Sequence, residues 1–161
     1  MGPEKNDVRR GGRPAPRSSS VEIRNAQRRD AATVAALLGE LGYPTTPEQA
    51  AERLDRIADD PSTWVVVADV DSEIAGLGAL HVQNLVERDE PGCEVAGLVV
   101  GERFRRRGIG ELLMEALEDE ARRRGGKFMV LNTAHRRADA HAFYEALGYE
   151  HTGRRYAKAL R

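Results

Sequence analysis

Apolar residues recur at strand or helix spacing along most of the chain. Residues 21–23 alternate as in a short strand. Apolar positions then recur at helical spacing after Asp30, which stands in an N-cap position, and this first helix is predicted to end at Gly42. A second helix is predicted from the capping-box sequence 46–49 to Asp60. The folded part of the chain therefore opens with one strand and two helices.

The middle of the chain has the pattern of a β-hairpin followed by a buried strand. Residues 64–70 and 74–85 are predicted strands, joined by a turn at Asp71 and Ser72. Two glycines inside the second strand indicate a bulge or the close approach of another group. Residues 94–100 are nearly all apolar, which predicts a buried central strand.

The last third of the chain alternates between helix and strand patterns. Helices are predicted over 108–124 and 138–147, with a buried strand at 128–132 between them and a returning strand or hairpin arm at 149–160. Antiparallel strands thus come first and a parallel β-α-β crossover follows. This order predicts the α+β class with a mixed sheet.

The composition is that of one soluble globular domain. The 161 residues are 40% hydrophobic and 32% charged, and a domain of this length can bury a core without disulfides or structural metals. Residues 1–20 are polar and rich in Pro, Gly and Ser, so we predict a disordered tail there and a folded domain over residues 21–161.

Cysteine, histidine and charge patterns narrow the classes of function. Cys93 is the only cysteine, so no intramolecular disulfide can form, and the four histidines lack the spacing of a zinc site; we expect no metal. A net charge of −1 gives no argument for a nucleic-acid or membrane partner. No apolar segment has the length of a membrane span or the form of a signal peptide, so a cytoplasmic protein is expected.

The strongest chemical signal lies where the predicted central strand leads into the third helix. We call this segment the arginine turn; it consists of Arg105, Arg106, Arg107, Gly108, Ile109 and Gly110. Glycines let main-chain N–H groups approach a ligand closely, and a helix N-terminus attracts anions, so a pyrophosphate is the natural occupant. The spacing fits neither a P-loop nor a dinucleotide-binding turn. A solvated basic loop is the alternative.

A second motif lies about thirty residues after the arginine turn, and together the two motifs resemble those of a known family. The arginine turn has the Arg-x-x-Gly-x-Gly spacing, and residues 140–149 have the form Ala-x-x-Phe-Tyr-x-x-x-Gly-Tyr. Both motifs, and the order of elements over residues 21–161, resemble the GNAT superfamily of N-acetyltransferases. The resemblance implies a three-layer α+β fold whose mixed central sheet has splayed fourth and fifth strands. It also makes residues 21–161 an N-acetyltransferase domain.

The resemblance implies an activity and a set of partners. The expected reaction is direct attack of a primary amine on acetyl-CoA, with a small-molecule amine preferred as acceptor and a peptide amine as the other partner considered. A protein lysine or N-terminus is the alternative acceptor, and a catalytically silent acyl-CoA-binding module is the alternative function. No nucleic-acid or membrane partner is expected. Many members of the superfamily are dimers, which leaves a homodimer open.

The resemblance also assigns roles to residues. Coenzyme binding falls to the six residues of the arginine turn together with Leu98, Val99, Val100 and Phe143. Tyr144 matches the usual general acid, because a phenol can protonate a departing thiolate; the alternative is a core aromatic. A backbone N–H near Val99 or Val100 is the expected donor to the oxyanion.

The general base and the acceptor pocket are less determined. Glu94 matches a strand position where some members place a catalytic carboxylate, although it could be a surface glutamate. His81, on the preceding strand, is a second candidate with a structural role as its alternative. Many members of the superfamily have Asn at the position of Arg137. The Arg137 side chain could contact a phosphate of the coenzyme, and the alternative is a side chain that faces solvent. Residues 41–44 and 87–90 are expected to shape the pocket.

Overall fold

The computed structural model describes residues 20–133 and 138–160 of the chain. The predicted disordered tail, apart from Ser20, and Arg137 lie outside the described residues. The regular elements of the described part are β1 (Val21–Asn25), α1 (Ala31–Leu41), α2 (Pro47–Ala58), β2 (Thr63–Val70), β3 (Glu73–Gln83), β4 (Gly92–Val100), α3 (Ile109–Arg123), β5 (Met129–Leu131) and α4 (Ala138–Ala146), with short 3-10 turns at Arg28–Asp30 and Glu102–Phe104.

The strands form one mixed sheet in the order β1-β2-β3-β4-β5. The first three pairings are antiparallel, and β4 pairs with β5 in parallel. Helix α3 is the crossover between β4 and β5, because parallel neighbours cannot be joined by a tight hairpin. The predicted α+β class and mixed sheet are confirmed.

A hydrophobic core lies on each face of the sheet, so the architecture has three layers. One core joins α1 and α2 to the sheet through residues such as Val67, Leu77 and Val99. The other joins α3 to the opposite face, where Leu113 and Leu117 are fully buried. The aromatic residues of α4 pack against this second core. The central strands are therefore covered on both sides, which explains their nearly continuous apolar sequences.

Local chemistry sets the helix boundaries as predicted for α2 and α1. The hydroxyl of Thr46 accepts a hydrogen bond from the Gln49 N–H (3.2 Å), and the Gln49 side chain accepts one from the Thr46 N–H (3.0 Å). This reciprocal capping box satisfies two donors at the start of α2. Gly42 ends α1 in the left-handed conformation, with φ of 104°.

Asp30 stands at the N-cap position of α1, but its side chain does not cap the helix. The carboxylate instead accepts hydrogen bonds from the Arg24 guanidinium (2.8 and 3.0 Å) and from the Gln27 N–H (2.8 Å). Asp30 is only 5% exposed, so the partnership with Arg24 compensates the cost of burying its charge. Hydrogen bonding from Arg24 also lowers the pKa of Asp30.

The predicted β2–β3 hairpin has the turn that its strands require. Asp71 and Ser72 both have positive φ, 51° and 72°, as in the tight turns whose twist matches that of the flanking strands. Gly76 in β3 is a point of close approach, because a Cβ there would lie 2.9 Å from the Val99 carbonyl oxygen and 3.0 Å from Leu113. The alternative offered by the sequence, close approach of another group, therefore applies at Gly76.

Two strand predictions near the C-terminus are corrected by the structure. Residues 149–160 form no strand, and Tyr156 and Leu160 are 86% and 92% exposed. The apolar residues of this segment are too sparse to form a buried face, and a strand persists only against a neighbouring edge. The predicted buried strand 128–132 is only the three-residue β5, which closes one end of the sheet order and leaves Val130 45% exposed.

Candidate functional site

Strand β4 has two halves with different neighbours. Its first half is held on both sides, because Cys93, Glu94 and Val95 pair with β5 while β3 lies on the other side. Beyond Val95, no described strand pairs with residues 96–100 on the side away from β3. We call this open side of residues 96–100 the β4 edge. It is the splaying of the fourth and fifth strands that the sequence led us to expect.

A bulge lies where the pairing with β5 ends. Val95 pairs with Leu80 and Gly97 with Ala79, so Ala96 is one residue in excess of β3. A bulge bends its strand and increases the local twist. The course of β4 thus changes at the position where its pairing with β5 ends.

The three predicted main-chain ligands lie in this second half. Leu98, Val99 and Val100 pair with β3 through one edge of their backbone. Val99 is buried in the core beneath α1 and α2, whereas Leu98 and Val100 pack toward α3. Core packing by the side chains thus coexists with an open main-chain edge.

The arginine turn brings unpaired amides to the N-terminus of α3. Arg106 and Gly108 both have positive φ, 61° and 76°, and Gly108 is the N-cap residue of α3. The first i→i−4 hydrogen bond of the helix runs from Leu112 N–H to the Gly108 carbonyl. The N–H groups of residues 109–111 precede that bond, so they form the positive end of the helix.

The side chains of the arginine turn differ in their surroundings. Arg105 donates from Nε to the Val100 carbonyl (3.1 Å) and from Nη2 to Glu40 (3.3 Å). Arg107 lies over the ring of Phe104, 5.5 Å from its centre. Arg105, Arg106 and Arg107 are all exposed. Arg105 is thus fastened to the end of β4, and the guanidinium groups remain at the surface.

The two sequence motifs meet in space. A Cβ placed on Gly110 would lie 3.2 and 3.3 Å from two ring atoms of Phe143 and 3.7 Å from Val100. The neighbouring Ile109 is 2% exposed and belongs to the core beneath α3. Glycine at 110 therefore lets α4 pack directly on the start of α3, while Ile109 anchors the turn.

Tyr144 contacts two other aromatic rings, Phe143 on α4 and Tyr149 just after that helix. Its ring meets Phe143 edge-on at 5.2 Å and Tyr149 at 6.0 Å between ring centres, which are favourable geometries. The Tyr149 hydroxyl donates to Glu118 (2.9 Å). Burial and this neighbouring carboxylate raise the pKa of Tyr149, so that phenol stays protonated.

Glu94 lies next to the point where β4 and β5 separate. Its Oε1 accepts a hydrogen bond from Asn132 Nδ2 (2.8 Å). Across the sheet it is paired with His81, whose Nδ1 lies 3.1 Å from the Thr63 hydroxyl. The two candidate bases of the sequence analysis are thus neighbours.

The segments expected to shape an acceptor pocket are largely at the surface. Tyr43 is 63% exposed, and residues 87–90 are exposed as well. The two clefts that border α1, one near Asp69 and the other near Phe104, are lined by neither segment.

Cys93 is unsuited to covalent chemistry. The thiol is fully buried beneath α3, and burial raises its pKa. A nucleophilic cysteine requires an exposed thiolate. Within residues 20–133 and 138–160 no group of three His, Cys, Asp or Glu side chains is arranged to hold a metal ion.

No helix of the described part is both long and apolar enough to cross a membrane.

Three residues of the site were missed by sequence reasoning. Glu40, at the end of α1, binds the side chain of Arg105 and the N–H of Glu102 (3.1 Å). No local signal exists for such a contact, because more than sixty residues separate the partners. Asn132 was signalled by its place just after a parallel strand, where functional polar residues gather. Asp60 precedes β2 in a turn, where its carboxylate accepts a hydrogen bond from the Thr63 hydroxyl (2.8 Å).

The sequence is similar to known acetyltransferases over most of its length. Residues 26–149 match the acetyltransferase (GNAT) family. The chain is 33% identical over 144 residues to an aminoalkylphosphonate N-acetyltransferase of Salmonella typhimurium. That match covers 86% of this chain and 91% of the relative.

The fold is similar to those of several solved structures. The aminoglycoside N-acetyltransferase AAC(6')-Iy, in complex with CoA, superposes with a TM-score of 0.80 at 21% identity, covering 91% of this chain and 99% of that one. Glucosamine-6-phosphate N-acetyltransferase from Arabidopsis thaliana gives 0.77 at 22% identity, covering 88% and 99%. A transcriptional regulator from Bacillus halodurans gives 0.80 at 23% identity, covering 88% and 100%. At these identities the likeness is one of fold.

Proposed function

The chain belongs to the acetyltransferase (GNAT) family, and we propose that it transfers an acetyl group from acetyl-CoA directly to a primary amine, preferably that of a small molecule. One observation carries this proposal. Phe143 of the second motif packs on Gly110 of the first, at the side of Val100, the last residue of β4. Two segments more than thirty residues apart thus border the β4 edge, where a coenzyme could be bound along its length.

The arginine turn is the proposed site for the pyrophosphate. The N–H groups of residues 109–111 stand at the positive end of α3, and Gly108 has no atom within 4 Å of the position of a Cβ. An anion gains from both features, and the exposed guanidinium of Arg106 or Arg107 adds charge neutralisation. Arg105 contributes by fixing the turn to the Val100 carbonyl.

The β4 edge is the proposed site for the amide-containing arm of the coenzyme. An extended chain with amide groups can add to an exposed strand edge by main-chain hydrogen bonds. Leu98, Val99 and Val100 supply that edge, and their side chains are already committed to packing. A backbone N–H near Val99 or Val100 would then stabilise the oxyanion of the tetrahedral intermediate.

The chemistry proposed is direct attack rather than transfer through an acyl-cysteine. The only cysteine is buried with a raised pKa, which supports a mechanism without a cysteine nucleophile. Tyr144 is the proposed general acid that protonates the departing thiolate. Glu94 is the proposed carboxylate that holds the incoming ammonium group beside the β4 edge.

A small-molecule acceptor is favoured by similarity to the Salmonella protein, which is named for aminoalkylphosphonates. Acetylation of a protein lysine or N-terminus remains the second candidate, because the pocket segments 41–44 and 87–90 are open at the surface. We propose a cytoplasmic location, since a lone buried thiol suits a reducing compartment.

A thiol-release assay tests the proposal. Acetyl-CoA and the purified protein are mixed with aminoalkylphosphonates, with aminoglycosides or with lysine-containing peptides, and free CoA thiol is measured. We expect release with at least one small-molecule amine. Release with the peptides alone would establish the second candidate. Stabilisation by acetyl-CoA in thermal unfolding, without release for any amine, would identify a silent acyl-CoA-binding module.

A further inference from the structure

A row of polar side chains crosses three strands beside the site. Thr63 of β2 is paired with His81 of β3, and His81 is paired with Glu94 of β4. Directly paired residues point to the same face of a sheet. Thr63 lies four residues before Val67, which is buried beneath α1 and α2, so all three side chains share that face. We call these three residues the polar row.

One end of the polar row is anchored by a carboxylate. Asp60 accepts hydrogen bonds from the N–H of Ser62 (2.9 Å), from the Ser62 hydroxyl (2.6 Å) and from the Thr63 hydroxyl (2.8 Å). The hydrogen bonds from Ser62 hold the pKa of Asp60 below its usual value. Asp60 is therefore a fixed acceptor, and the proton of the Thr63 hydroxyl is committed to it.

This arrangement determines which nitrogen of His81 carries the proton. A hydroxyl has a single proton to donate, and that of Thr63 goes to Asp60. Thr63 Oγ1 must therefore accept a hydrogen bond from His81 Nδ1, 3.1 Å away. The neutral imidazole is then protonated at Nδ1 and carries its lone pair on Nε2.

The lone pair on Nε2 is available at the right place. His81 Nε2 has no hydrogen bond to any residue in the described ranges, whereas Glu94 is occupied at Oε1 by Asn132. Glu94 stands one residue before Val95, where the pairing with β5 ends and the β4 edge begins. An amine held there by Glu94 would be next to the imidazole.

We propose that His81 is the general base of the transfer, and that Thr63 and Asp60 are positioning residues that keep its Nε2 unprotonated. The inference rests on the proposed function and adds to it a division of labour. Glu94 attracts the ammonium group by charge, and His81 removes the proton.

His81 and Tyr144 together account for every proton transferred in the reaction. The ammonium gives one proton to His81 Nε2, and the neutral nitrogen then forms a bond to the thioester carbon while the carbonyl electrons move to oxygen. When the tetrahedral intermediate collapses, the carbon–sulfur bond breaks and Tyr144 protonates the thiolate. The second proton of the nitrogen restores the Tyr144 phenol. His81 releases its proton to solvent, so one proton leaves per acetyl group transferred.

Two substitutions of His81 distinguish the role of Nε2 from that of Nδ1. His81→Asn can keep a donor near the position of Nδ1 but has no group in place of the Nε2 lone pair. His81→Gln reaches further and serves as a second variant should the first fail to fold. If the melting temperature of a variant equals that of the wild type, the variant is folded. In such a variant we expect kcat to fall about 10²–10⁴-fold, with the KM for acetyl-CoA unchanged. A kcat close to wild type in such a folded variant overturns the inference.

Substitutions of Thr63 test whether it determines the tautomer of His81 or only packs against the imidazole. Proton–nitrogen correlation spectra of the imidazole should show the Nδ1-protonated tautomer in the wild-type protein. Thr63→Val, which keeps the β-branched shape, should lose that preference and part of kcat, and Thr63→Ser should retain both. An Nε2-protonated His81 in the wild-type protein overturns the inference. These spectra need no turnover, so they are distinguishable from absence of thiol release by the wild-type protein, which would overturn the proposed function itself.

Discussion

Two regions use arginine in opposite ways: the surroundings of β1, which we call the β1 end, and the C-terminal end of β4, which we call the β4 end. At the β1 end, Arg24 lies between Asp30 and Asp69, at 2.8 and 3.2 Å, and is largely buried. At the β4 end, the side chains of the arginine turn are exposed and stand beside main-chain N–H groups that no intrahelical bond uses. The first arrangement is closed, because each charge already has its partner. The second is open to an anion.

This difference separates residues that stabilise the fold from those that could bind a ligand. A shallow cleft also lies at the β1 end, lined in part by Arg24, Asp30 and Asp69. Arg24 is paired there with Asp30 and Asp69, and Arg103 with Glu73, so most charges of that cleft already have a partner in the protein. Availability of hydrogen-bonding groups, rather than the depth of a depression, distinguishes the β4 end. The comparison therefore predicts that substitutions at the two ends affect different quantities.

The largest effect is expected at the open end, from Tyr144→Phe. Loss of the proposed general acid should lower kcat by about 10²–10⁴-fold, measured by thiol release at a temperature where thermal unfolding shows that the variant is folded. Tyr149→Phe is the matched control. It removes a hydroxyl bound to Glu118 and should cost about 1 kcal/mol of stability while kcat stays close to that of the wild type. Equal losses of kcat in both variants would make Tyr144 a packing residue.

At the closed end, Asp30→Asn should lower stability rather than turnover. Removing one partner of a buried ion pair leaves the other charge uncompensated, and we expect the free energy of unfolding to fall by about 3 kcal/mol. Chemical denaturation measures this change. Asp55→Asn, which breaks the exposed pair with Arg28, should cost less than about 1 kcal/mol. Similar losses in the two variants would contradict the distinction between buried and exposed pairs.

The same pair predicts how stability depends on pH. The pKa of Asp30 is lowered in the folded state by hydrogen bonding from Arg24, below the value of about 3.9 typical of an unfolded chain. The stability it contributes is therefore complete above about pH 4 and is lost as the pH falls through the folded-state pKa. The difference in unfolding free energy between wild type and Asp30→Asn should shrink from pH 7 to pH 3. If the difference in unfolding free energy stayed constant over this pH range, the charge of Asp30 would not be its cause.

The smallest effect is expected from a single methyl group at the open end. Gly110→Ala would place a Cβ 3.2 Å from the Phe143 ring, and the ring must shift at a cost of about 1–3 kcal/mol. Because Phe143 borders the β4 edge, the KM for acetyl-CoA should rise about tenfold in steady-state kinetics.

Gly39→Ala is the matched control for that change. Gly39 lies within α1 and has no atom within 4 Å of a Cβ position, so alanine should stabilise the protein by about 0.5–1 kcal/mol and leave KM unchanged. An unchanged KM in Gly110→Ala would mean that the contact between the two motifs does not shape the coenzyme site.

Much of the fold follows from local rules that can be applied to the sequence. The capping box of α2, the glycine that ends α1 and the β2–β3 turn are decided by residues within a few positions of one another. The apolar face of α3, with Leu113 and Leu117, is equally regular. The prediction failed over 149–160, because the apolar residues there are too sparse to form the buried face of a strand.

The sequence by itself determined the order of the elements as far as α4, the family and the two motifs, because each depends on short spacings along the chain. Only the tertiary structure decided that Phe143 meets Gly110, that Glu40 binds Arg105, that Asp30 serves Arg24 rather than a helix end, and that the Thr63 hydroxyl selects the tautomer of His81. These contacts join residues from different elements. Their partners are selected by register and packing, which no local pattern encodes.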